Sequence, residues 1–162
     1  RAWFWAPAGA ATAGLAAAPV LAADPSVPYP ENYRSWHHVK SMVIEEGHPL
    51  HAAFGGIHHL YANQKALDGY RNGRFPDGAV IVFDLLEASR ADGAVIEGAR
   101  KVAGVMHKDA KRYAATGGWG FEGFAGGDPA KRVVADKAEG ACFACHAPQK
   151  DRDYVFSSLR DR

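Results

Sequence analysis

The run Ala79 to Ala88, AVIVFDLLEA, restricts the fold more than any other stretch of the chain. It is apolar and β-branched, and the turn Phe75-Pro76-Asp77-Gly78 launches it, so it reads as a strand. Ahead of it, GGIHHLYA (Gly55 to Ala62) reads as a strand. NQKALDGYRNG (Asn63 to Gly73) reads as a short helix that Asn63 caps and Gly73 closes. Behind it, AVIEGARKVAGVMHKD is expected as one or two strands interrupted by glycines, and KRYAATGGWGFEGFAGG holds a short aromatic strand. A helical segment follows near the end of the chain. EEGHPLHAAFGG, broken by Gly47, Pro49 and the Gly55-Gly56 pair, reads as a loop. YRSWHHVKSMVI fits strand or helix; as a strand it puts Trp36, His38 and Lys40 on one face and His37, Val39 and Ser41 on the other. Hairpin-length turns between the later strands favour an α+β fold, a mostly antiparallel β-sheet with a few helices packed on one side. With 18 glycines and no long amphipathic heptads, a four-helix bundle is disfavoured.

The 162 residues suffice for one core and a ligand cavity, and no linker is long enough to split residues 24–162, which read as a single domain. A formal charge of +1, with no basic run interleaved with aromatics, argues against a nucleic-acid partner. Residues 1–23 differ from the rest. Arg1 precedes an uncharged, alanine-rich run ending in small residues, as in a secretory signal cleaved near Ala22 or Ala23. Export to the periplasm is therefore expected; if the segment is retained it becomes a membrane tether, although Pro7 and Pro19 weaken it as a spanning helix. DPSVPYPENY, with three prolines, is an extended lead-in.

Both cysteines lie in Cys142-Phe143-Ala144-Cys145-His146, the attachment signature of c-type haem. Two thiols at this spacing can add to the two vinyl groups on one porphyrin edge, and the adjacent His146 is then placed beneath the iron as axial ligand. Its other ring nitrogen is expected to donate to a backbone carbonyl or water. One covalent haem c with Cys142, Cys145 and His146 as cofactor residues, and His146 as iron ligand, is the expectation. Rival readings are weaker. A thioredoxin-like pair sits at a helix start after an early strand. A zinc site needs further ligands from the other seven of the eight histidines. A disulfide across two intervening residues is strained.

The sixth iron position decides what such a cofactor does. Met42 and Met106 both lie in strand patterns, where methionine is commonly core filler. His58 and His59 point to opposite faces of their strand, so one faces inward; His58 shares its face with Phe54, Gly56 and Leu60.

Taken in order, PENYRSWHHV, FGGIHHLYAN, GRFPDGAVIVFDLLEA, VMHKDAKRYAATGGWGF and CFACHAPQKDRDYVFSSLR resemble the cytochrome P-460 family over about residues 29–160. That family includes hydroxylamine-oxidising cytochromes P-460 and gas-binding cytochromes c′-beta. The resemblance implies a mostly antiparallel sheet with helices, a homodimer, haem on the C-terminal motif, a proximal histidine and an open, apolar distal side. The oxidising members link a lysine, on the strand after the Asp-Gly turn, to the porphyrin edge. Here that strand has no lysine, and Phe83 aligns with the position; Lys65 and Lys101 are nearest in sequence but do not align. Those members also use a distal glutamate as proton acceptor, where this chain has Gly104 or Val105.

The resemblance therefore implies a distal wall of Phe54 and Phe83, with His58 as a polar group able to hydrogen-bond a ligand. Such a pocket suits NO or CO and disfavours hydroxylamine oxidation, which must shed protons. The expected function is an exported mono-haem c-type cytochrome that binds a small gas or handles electrons with a redox partner protein. The alternatives are a six-coordinate electron carrier, with His58 or Met106 as sixth ligand, and an oxidase of hydroxylamine or NO. In the tail, Lys150 and Arg152 are available to haem propionates or an anionic partner; the plainer reading is a solvated face with Tyr154 and Phe156 turned inward.

Overall fold

The structure, a computed structural model, describes residues 26–160. Residues 1–23, read above as an export signal, lie outside the described residues. Five strands form one antiparallel sheet among the described residues: β1 (His37–Ile44), β2 (Gly56–Ala62), β3 (Val80–Ala91), β4 (Ala94–Lys108) and β5 (Trp119–Ala125). Their order in the sheet is their order in the chain. Consecutive strands are therefore antiparallel neighbours, which need no crossover. The tightest connection is Asp92-Gly93 between β3 and β4, where both residues take positive φ (53° and 78°). That backbone matches the twist of a two-residue hairpin, and Asp-Gly tolerates it. The fold is α+β, mostly antiparallel sheet with a few helices, as the strand and turn patterns imply.

Between β2 and β3 lies α2 (Gln64–Asn72), preceded in the chain by the single turn α1 (His51–Phe54). The Asn63 side chain accepts from the Ala66 amide, and Gly73 closes α2 at φ 76°. The α1 turn corrects the loop expected there; one turn of four residues is too short for any hydrophobic period to register. Two further expectations change. Gly98 and Gly104 do not interrupt β4, which runs unbroken for 15 residues and takes up its irregularity as register shifts against Leu86. Between β1 and β2, His38 faces Tyr61 whereas Lys40 faces Leu60, a bulge that puts His38 and Lys40 on opposite faces rather than together.

Both faces of the sheet are covered. On the first, Val39, Ala62, Ile81, Trp119 and Phe121 pack with Ala66 and Leu67 of α2 and with Cys142, Phe143, Tyr154 and Val155 of the C-terminal segment. On the second, Val82, Ala103, Val105 and Phe124 pack with Val27, Tyr29 and Tyr33 of the proline-rich lead-in. Expecting helices on one side holds for α2 and the C-terminal run; the lead-in, with its 3-10 turn Tyr33–Ser35, closes the other side. Asp84 is fully buried on that second face and pairs with Arg100 at 2.6 Å and Arg34 at 3.4 Å. No helix among the described residues is long and apolar enough to cross a membrane.

Candidate functional site

The cysteine motif lies in a helical run whose winding changes: 3-10 over Ala135–Lys137, π over Glu139–Phe143, α over Ala144–His146 and 3-10 over Ala147–Arg152. Pro148 removes an amide donor just after His146, and Asp153 ends the run in the left-handed region. Cys142 and Cys145 are both free thiols, the first half-buried and the second exposed. Burial, with smaller effects from Glu122 and Cys145, raises the Cys142 pKa and keeps it a thiol.

His146 is tied to the sheet. Its ring lies 5.0 Å from the Phe121 ring and 5.0 Å from Phe156. Its Nδ1 donates to the Tyr154 carbonyl oxygen at 2.7 Å. That bond fixes the tautomer with hydrogen on Nδ1, leaving the Nε2 lone pair for another acceptor. Burial lowers the His146 pKa and the carbonyl bond opposes it, so the imidazole is held neutral, the form that ligates metal.

Rows of paired residues run across the face beside the motif. One row holds Ala62, Ile81, Met106 and Phe121; the next holds Lys40, Leu60, Phe83, Gly104 and Gly123; a third holds Met42, His58, Leu85 and Val102. Successive rows lie two residues, or roughly 7 Å, apart along the strands. His146 thus stands against the first row, while Phe83 and His58 occupy the next two. The Phe54 and Phe83 rings meet edge to face at 5.7 Å, and His58 lies 4.4 Å from Phe83. Phe54 projects from α1 and is 40% exposed, so it is not core packing. His58 is buried, and its Nδ1 finds no hydrogen-bond partner among the described residues. Burial and the neighbouring His59 push its pKa down to about 4. Gly104, opposite Phe83, leaves the sheet surface bare; a Cβ there would meet the Phe83 Cβ at 3.5 Å, an ordinary contact.

The structure therefore packs Cys142 and His146 against the same face as Phe54, Phe83 and His58, with Cys145 exposed one helical turn from Cys142. These residues fit a covalently held haem: two unpaired thiols one helical turn apart, an imidazole with one nitrogen committed and the other available, a glycine-bared floor and an orphaned polar atom further along. Among the described residues no three His, Cys, Asp or Glu side chains gather as a metal-binding group, which removes support from a mixed zinc site. Lys65 and Lys101 are held on the carbonyls of Asp77 and Gly55. Two clefts, of about 690 and 450 Å³, lie away from the motif, around Glu45, His51 and Arg90 and around Tyr29, Arg34 and Arg100. Charged side chains such as Glu45, Glu46, Glu87 and Arg90 line much of the first, and Tyr29 and Tyr33 share the second with Arg34 and Arg100.

A family model described as Cytochrome P460 matches residues 30–157. The chain belongs to the cytochrome P460 family. It is accordingly a haem-binding cytochrome, and the match spans the sheet, the Phe54–Phe83 pair and the cysteine motif. No curated protein matches the chain.

A backbone carbonyl was expected at the second His146 nitrogen, and Tyr154 supplies it, although no residue signature marks which carbonyl serves. Sequence reasoning missed the aromatic contacts; Phe121 was legible only as one alternate residue of an aromatic strand. Phe156, read as turned inward, is 54% exposed and presents its ring to His146, while Val155 takes the buried place. Lys150 and Arg152 are exposed, as a solvated face requires, and Arg152 donates to the Ser157 carbonyl.

Proposed function

We propose that this cytochrome carries one haem c, joined through Cys142 and Cys145 with His146 as axial ligand, and that its distal side binds an uncharged diatomic such as NO or CO. When bound, haem supplies an iron whose remaining position takes such a gas or through which a single electron passes. The observation that carries the reading is the division of one apolar face. His146 stands at one end with Nε2 free, and the Phe54–Phe83 pair stands further along. Phenyl rings exclude water and offer neither proton nor charge, so they select small apolar ligands over hydroxylamine. His58, with its pKa at about 4, is a poor proton acceptor near neutrality and acts instead as a neutral hydrogen-bonding group. Val80–Ala91 contains no lysine to link to a porphyrin, and Gly104 and Val105 offer no carboxylate, which weighs against an oxidase. Export to the periplasm, a homodimer and a redox partner protein complete the proposal; the alanine-rich segment 1–23 and the family resemblance support the first two.

A second reading, a six-coordinate electron carrier, is favoured by one observation: the unpartnered Nδ1 of buried His58 on the same face. Ferrous absorption spectra of the matured protein, with and without NO, separate the two. A five-coordinate high-spin spectrum that changes on adding NO supports gas binding. A six-coordinate low-spin spectrum that NO leaves unchanged overturns it in favour of the carrier, and a strongly red-shifted ferrous Soret band revives the oxidase.

A further inference from the structure

The chain leaves its helical run through two consecutive non-glycine residues in the left-handed region, Asp153 (φ 51°, ψ 41°) and Tyr154 (φ 65°). A bulky aromatic such as Tyr154 avoids that conformation, and two such residues in a row are uncommon even with an aspartate first, so contacts must hold them there. Four contacts do. The Asp153 carboxylate accepts from Lys108 Nζ at 2.7 Å and from the Phe75 amide at 2.8 Å, and its carbonyl accepts from Trp119 Nε1 at 2.8 Å. The Tyr154 amide donates to the Gln149 carbonyl at 2.8 Å. Lys108, the last residue of β4, also donates to the Gly117 carbonyl at 3.1 Å and lies 5.0 Å from the centre of the Trp119 ring. Gly117 leaves room for the Tyr154 ring; a Cβ there would come within 2.3 Å of it.

The side chains of this ion pair are only 9% and 10% exposed. A buried pair is a weak stabiliser compared with apolar packing, because both charges lose their water. Its use here is geometric. The residue it clamps directly precedes Tyr154, whose carbonyl receives the His146 Nδ1 hydrogen at 2.7 Å. A carbonyl in that place decides which ring nitrogen stays free and at what angle.

We propose that Asp153, held by Lys108, is the positioning residue for the His146 imidazole. It pins the left-handed backbone that presents the Tyr154 carbonyl to Nδ1, and so sets the orientation in which Nε2 is offered to an axial site. The proposal rests on His146 being the iron ligand and adds residues outside the cysteine motif that tune it.

The test is resonance Raman spectroscopy of the full-length, haem-matured ferrous protein, reading the iron–imidazole stretching band. In Asp153→Ala and Lys108→Met the band is expected to broaden and shift to lower frequency, because the imidazole loses its fixed acceptor. Lys108→Arg is expected to restore it. Thermal midpoints are read alongside: a drop in midpoint with the band unchanged means a purely structural role and overturns the proposal. Should Asp153→Ala fail to mature, Asp153→Asn decides. It keeps an oxygen for the Phe75 amide but loses the charge facing Lys108, so a shifted band supports the proposal and an unmoved one overturns it. If His146→Ala retains the band, another residue holds the iron, the assignment of His146 fails and the proposal falls with it. That outcome is distinct from an unmoved band in the Asp153 variants.

Discussion

His58 offers a quantitative test of how the aromatic end of this face is built. Its imidazole is 5% exposed and its pKa is pushed from 6.5 to about 4, chiefly by burial. The folded state therefore resists protonation at a site the unfolded chain protonates readily. Above pH 6.5 the ring is neutral in both states and contributes no pH dependence. As pH falls from 6.5 towards 4 the unfolded state takes up more protons, and stability drops; below about pH 4 both states are protonated and the loss levels off. At about 1.4 kcal/mol for each pH unit, the drop from 6.5 to about 4 is worth about 3 to 4 kcal/mol in full. Urea unfolding of the protein and of His58→Leu at steps between pH 7.5 and 4 isolates this contribution. His38 and His107, also shifted down, titrate alike in both proteins and cancel. The unsubstituted protein is expected to lose more stability than His58→Leu over that interval, by as much as about 3 kcal/mol. At pH 7 the variant is expected to equal or exceed it, since the orphaned Nδ1 is gone. Parallel pH curves would refute the buried, neutral placement of His58 on this face.

Other expectations follow from single contacts. Asn63→Ala removes the cap on the Ala66 amide, an acceptor for the Val80 amide and a donor to the Gly78 carbonyl. Urea midpoints are expected to report a loss of about 2 kcal/mol. Asp84→Asn leaves Arg100 and Arg34 facing a neutral group on the buried second face, and calorimetry is expected to show a loss of about 3 kcal/mol. Gly104→Ala has room beside Phe83 and is expected to fold normally. Gly104→Leu fills the bared floor and is expected to weaken NO affinity about tenfold or more in a ferrous titration, equivalent to about 1.4 kcal/mol.

The sheet was legible because the signals for β2, β3 and β5 are local: β-branched runs, an Asp-Gly turn and a capped helix between strands. What the sequence hid was non-local. The β1 bulge that separates His38 from Lys40 depends on pairing with β2, and nothing in WHHVKS marks it. The α1 turn is one turn long, yet it carries Phe54 to Phe83. Around the motif, Cys142, Cys145 and His146 announce themselves by spacing. The orientation of His146 depends on a backbone carbonyl, on Phe121 from another strand and on an ion pair spanning Lys108 and Asp153. Those partners are set by tertiary packing, which residue type and spacing do not record.

The most direct measurement is the mass of the full-length protein, expressed in a host competent for cytochrome maturation and then denatured and extracted with acid acetone. A polypeptide heavier by one haem is expected, with colour retained after extraction and lost in the Cys142→Ala/Cys145→Ala double variant. A protein that surrenders all its pigment to the solvent, or that never gains the mass of a haem, would contradict it.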